Sequence, residues 1–211
     1  MDLYFSPLAC SMASRISFYE AGASANFYEI EKQTRRASDG RALHELNPLG
    51  LVPTLRTDQG EILTENAAVL QFIADAYPAA QLAPASGLGR ARLQQWLCFI
   101  GTELHSATFL PLLDKKAPEG AKQYALSKAA ERLNVLAEHL KDREFLLDRF
   151  SVADAYLTAV LGWSLVTPIK LADWPSLEGY FKRMHARPSV ARAFGEELEL
   201  YKRELAQLKS A

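Results

Sequence analysis

The chain has 211 residues, nearly half of them apolar, and a formal net charge of -1; this fits a soluble globular protein of one large or two small domains and excludes the basic excess of a nucleic-acid binder. Two distant cysteines, Cys10 and Cys98, and four scattered histidines make neither a disulfide framework nor a spaced metal site. With no signal-peptide pattern and no apolar run read as long enough to cross a bilayer, a cytoplasmic protein without a membrane partner is expected.

In chain order, "DLYF" reads as a strand, "SMASRISFYEAG" as a helix closed by Gly22, and "NFYEIE" as a second strand, parallel to the first because crossovers are right-handed. A short helix near "RALHELNP" stops at Pro48, followed by "PTLRT", the turn "DQG", "EIL" and the helix "NAAVLQFIADAYP". The tight turn makes the last two strands an antiparallel hairpin, so the order is βαβαββα around a mixed four-stranded sheet. That is the order of the thioredoxin fold. The Pro- and Gly-containing stretch "YPAAQLAPASGLG" then separates an N-terminal domain, 1–80, from the rest, with a linker over 81–88. From 89 to 211 four apolar-periodic segments predict an all-α helical bundle: "RLQQWLCFIGTELHSATFLPLL", "YALSKAAERLNVLAEHLK", "VADAYLTAVLGWSLVTPI" and "SLEGYFKRMHARPSVARAF". In "FSVADAYL", Ser151 and Asp154 have capping-box spacing, with Phe150 placed for a hydrophobic staple.

Cys10 falls where the first strand gives way to the first helix. It is either a small buried residue or a reactive thiol, since unpaired N–H groups and the helix dipole favour a thiolate there. Ser11 is an N-cap or a hydroxyl donor to that sulfur. The position of a resolving thiol, three residues on, holds Ala13. A reactive Cys10 therefore needs an external thiol such as glutathione.

With "LVPTL", "TEN", the helical half and "SVADAYL" in this order, nearly the whole chain resembles the glutathione transferases, and most of all the bacterial beta class, through Cys10 and His105. The resemblance implies a cis Val52–Pro53 bond, with the Val52 backbone pairing with the cysteinyl segment of glutathione. It implies that Glu65 accepts from the ligand ammonium, that Asn66 and the helix start hold its γ-glutamyl carboxylate, and that Arg35, where lysine is common, holds its glycyl carboxylate. Read alone, Glu65 is an ordinary helix-start residue and Arg35 a solvated one.

His105, otherwise a packed or surface histidine, is implied to approach the glutathione sulfur from the second domain as a catalytic group, beside Cys10 and Ser11. Glu103 is implied to reach the ligand of a neighbouring subunit in a homodimer, flanked by Thr102 and Leu104. Two positions depart from the family: Cys98 stands where asparagine is common, as a poorer hydrogen-bond partner or a second thiol near the site, and Ser106 stands where lysine is common. Phe109, Leu110, Leu113, Trp163 and Val166 are candidates for the wall facing an apolar electrophile, or for core. The expected activity is detoxifying conjugation of glutathione, as substrate, to small hydrophobic electrophiles, with no metal or nucleotide. The alternatives are thiol-transferase or peroxidase chemistry through a Cys10 mixed disulfide, and a noncatalytic binding or regulatory module.

Overall fold

In the computed structural model, which describes residues 1–210, the sheet is built around β1 (Asp2–Phe5), buried at all four positions. It pairs in parallel with β2 (Asn26–Glu29), Leu3 opposite Phe27, and antiparallel with β3 (Thr54–Arg56), Leu3 opposite Leu55. A turn at Gly60, φ +88°, leads into β4 (Ile62–Leu63), so the strand order is β2-β1-β3-β4, mixed as expected. Alternation sends Leu3 and Phe5 to one face, where they meet Phe18 of α1 (Met12–Glu20) and Val69 and Ile73 of α3 (Asn66–Ala76). Tyr4 goes to the other face, with Leu43 of α2 (Leu43–Leu46). Gly22, φ +61°, closes α1: its N–H bonds back to the Tyr19 carbonyl in a conformation that suits glycine.

After a turn at Pro78–Ala80, α4 (Gly87–Leu113) runs for 27 residues. It is long and apolar enough to cross a membrane, contrary to the expectation that no run is. Here Leu93, Leu97, Ile100, Leu104 and Phe109 instead face a protein core shared with α5 (Glu119–Leu140) and α6 (Val152–Gly162). The fourth apolar segment is two helices, α7 (Pro175–His185) and α8 (Pro188–Ser210), since Pro188 lacks the N–H that would continue α7. α6 and α8 both pack on α1, and one apolar cluster runs from Met12, Ile16 and Leu70 of the sheet half into the helical half.

The start of α6 is the best-secured local element. The fully buried Asp154 carboxylate accepts from the Ser151 N–H and hydroxyl at 2.9 Å each, from the Leu146 N–H at 2.9 Å and from the Tyr180 hydroxyl at 3.0 Å. Burial raises its pKa to about 6 despite those four donors.

Candidate active site

A cleft of about 920 Å³ opens between the β1–α1 turn and α3 on one side and α4, α6 and α8 on the other. Cys10 lines it at the turn, 8 % exposed, its Sγ donating to the Val52 carbonyl at 3.2 Å. Its pKa is raised to about 12: burial dominates, and the backbone N–H groups of Cys10 and Ser11 only partly offset it. The helix-start effect therefore has the expected sign and is outweighed. Ser11 does not face the sulfur. It is fully buried outside the cleft lining, and its hydroxyl donates to the Ser6 carbonyl at 3.3 Å and accepts from the Ser6 N–H at 3.4 Å. It makes no side-chain cap either, so both sequence readings of Ser11 are corrected; its polar atoms are consumed in closing the loop.

The loop before β3 presents Val52 and Pro53 to the cleft through a cis peptide bond. Asn47 shapes that loop, donating to the Leu51 carbonyl at 3.0 Å and accepting from the Leu49 N–H at 3.1 Å. Glu65, φ +65°, turns the chain into α3, and Asn66 follows as its first residue, with Nδ2 on the Cys10 carbonyl at 3.1 Å. Both line the cleft, as does Arg35, whose guanidinium bonds to the Gly50 carbonyl.

The facing wall comes from the stretch Ile100–Phe109 of α4, which is wound more loosely, as a π-helix. Gly101, Thr102, His105, Ser106 and Leu110 recur along the cleft at spacings of about four. Cys98 is exposed at its edge, its carbonyl accepting from the Thr102 hydroxyl at 3.0 Å. Three expected site residues lie elsewhere. Leu104 and Phe109 are fully buried in the core and do not line the cleft, because the looser winding places them with Ile100 and Thr108 on the buried face. Glu103 lies outside this cleft as well and pairs with Arg132 Nε at 2.8 Å. Leu110, Leu113, Trp163 and Val166 do line the cleft, with Val166 71 % exposed at the rim.

His105 Nδ1 lies 2.7 Å from the Tyr156 hydroxyl, and the Trp163 ring packs against the imidazole at 4.8 Å between centroids. Trp163 is itself fixed by its Nε1–H donating to the Leu8 carbonyl at 3.0 Å. Burial lowers the His105 pKa below the ordinary 6.5, leaving a neutral imidazole at physiological pH. Tyr156 was missed by the sequence reading, which took "SVADAYL" only as a helix start; its contact to His105 spans 51 positions and leaves no local signal. The cleft-lining Phe194, Leu198 and Tyr201 of α8 were missed for the same reason.

The arrangement can hold a peptide-like ligand along an exposed backbone edge, receive a carboxylate at a helix N-terminus, and set its reactive end between Cys10 and His105 against an apolar wall. The sequence matches the family models for the glutathione S-transferase N-terminal domain over residues 9–76 and C-terminal domain over residues 96–188. Glutathione S-transferase GstA of Escherichia coli O157:H7 is 35 % identical over 199 residues, covering 93 % of this chain and 98 % of that protein. Two solved structures are each 40 % identical, covering 93 % of this chain and 98 % of theirs: a sphingomonad glutathione S-transferase complexed with glutathione, TM-score 0.89, and a bacterial beta class glutathione S-transferase of Sphingomonas chungbukensis, TM-score 0.88.

Proposed function

The chain belongs to the glutathione S-transferase family, and from that premise we propose that it binds glutathione in this cleft and conjugates it to small apolar electrophiles, a detoxifying reaction. The observation that carries the reading is the convergence of Val52, the Glu65–Asn66 helix start, Arg35, Cys10 and His105 on one cavity whose remaining wall is Leu110, Leu113, Trp163 and Val166. Val52 supplies backbone to the cysteinyl segment, Glu65 accepts from the ligand ammonium, the start of α3 meets the γ-glutamyl carboxylate, and Arg35 meets the glycyl carboxylate. The glutathione thiol gives its proton to solvent, and its sulfur forms the new bond to carbon while the leaving group departs with the bonding electrons. The site holds the thiolate and electrophile close and donates hydrogen bonds to the sulfur.

The burial that holds Cys10 protonated favours conjugation over the mixed-disulfide route. Retention on immobilised glutathione and turnover of a halonitrobenzene are expected. Failure of both would favour a noncatalytic module, and a dithiothreitol-reversible glutathione adduct on Cys10 would favour the thiol-transferase route.

A homodimer is part of this reading, with Glu103, which faces away from its own cleft, reaching the ligand of the neighbouring subunit. A monomer in solution with unimpaired glutathione affinity would remove Glu103 from the site. Two free cysteines fit a reducing, cytoplasmic compartment.

A further inference from the structure

We propose that Tyr156 is the positioning residue of His105: its hydroxyl, set against His105 Nδ1, holds the imidazole in the tautomer that offers Nε2–H to the glutathione sulfur. The inference rests on the glutathione reading for the identity of the sulfur, but not for the tautomer. Tyr156 is 3 % exposed, and its hydroxyl is 2.7 Å from Nδ1. Among the described residues no hydrogen bond is made to Nε2, which leaves that edge of the ring for the cleft His105 lines.

The phenol proton decides the direction of the hydrogen bond between Tyr156 and His105. Among the described residues the Tyr156 hydroxyl makes no other hydrogen bond, and Asn66 Nδ2 is spent on the Cys10 carbonyl at 3.1 Å. The one proton of Tyr156 therefore goes to the acceptor it lies against, Nδ1. Burial, with Cys10 and Glu65 nearby, raises the phenol pKa and keeps that proton in place. A neutral imidazole that accepts at Nδ1 must carry its proton on Nε2. The opposite tautomer would aim a lone pair at a thiolate and leave the phenol proton without an acceptor. The edge-on contacts of Tyr156 and Trp163, at 84° and 63° to the imidazole, restrain the ring from turning over. The group on α4 that faces the sulfur is oriented from α6.

The test is nitrogen NMR of the ring in protein labelled with ¹⁵N-histidine, His105 being identified by its loss in His105→Gln. Wild type is expected to show Nε2 protonated and Nδ1 bare, with and without S-methylglutathione. In Tyr156→Phe the two tautomers should mix and kcat should fall about tenfold, while KM for glutathione stays within about twofold. A proton on Nδ1 in the wild type, or a Tyr156→Phe enzyme with unchanged tautomer and kcat, overturns the proposal; if that variant does not fold, the wild-type spectrum alone decides. Absence of S-methylglutathione binding by calorimetry, with the Nε2 tautomer intact, overturns the glutathione reading and leaves the Tyr156–His105 pairing standing.

Discussion

At Cys10 the helix start and the surrounding core act on one proton in opposite directions. The backbone N–H groups of Cys10 and Ser11 stabilise the anion, but a side chain only 8 % exposed loses more hydration than they return, and the pKa settles at about 12. Its hydrogen bond to the Val52 carbonyl gives the neutral thiol a place to put its proton, which a thiolate would forfeit. Cys98 has neither constraint and is exposed. In the ligand-free protein near pH 8, iodoacetamide should therefore modify Cys98 alone, whereas in denaturant both cysteines should react. Peptide mass spectrometry reads the two sites separately, and rapid native labelling of Cys10 would show that the helix start wins after all. The same residue shows why local sequence underdetermines chemistry: the N–H groups that favour a thiolate come from the next residues in the chain, while much of the burial that opposes it comes from elements distant in sequence.

Among the elements, α6 was the most legible, and α4 the least. The Ser151–Asp154 spacing announces a helix start, and both oxygens of Asp154 are engaged there, though two of the four donors, Leu146 and Tyr180, are tertiary and invisible to the motif. Asp154→Ala should thus cost more than an isolated cap: about 3 kcal/mol of unfolding free energy, against about 1 kcal/mol for Ser151→Ala, by urea denaturation. Equal losses would mean that the tertiary donors find water in the variant. In α4 the apolar residues were read at ordinary helical spacing, but Ile100–Phe109 is wound as a π-helix. Across this stretch Phe109 goes to the core and Leu110 to the cleft, and Thr102 lines the cleft while Glu103 faces Arg132. The βαβαββα order, by contrast, follows from short runs and turns whose signals are local, and the structure reproduces it strand for strand.

At the scale of the molecule, the terminal helix is what ties the two halves together at the site. Glu197 of α8 is fully buried; its Oε2 accepts from the N–H of Leu8, held at φ +58°, at 2.7 Å, and its Oε1 lies 3.2 Å from Nε of the buried Arg15 on α1. Arg15 sits between the Phe5 and Phe27 rings, 4.2 and 4.4 Å from their centroids, and its Nη1 donates to Glu196 at 3.1 Å. Burial raises the Glu197 pKa to about 8; Arg15 and the Leu8 N–H pull it down, Glu196 and Glu29 push it up. An acid whose folded pKa lies above its unfolded value takes up a proton on folding. Its contribution is therefore fully present below the unfolded value of 4.5 and is lost as pH rises through about 8. The urea midpoint of the wild type should fall between about pH 6.5 and about pH 9, a window that lies above the titration of Asp154. Glu197→Gln keeps an acceptor for the Leu8 N–H and removes the titration, so its midpoint should vary much less over the same window. If the variant retains the whole fall, the pH dependence arises elsewhere, and the Leu8 turn, from which Cys10 follows two residues on, is held to α8 by a carboxylate that never gives up its charge.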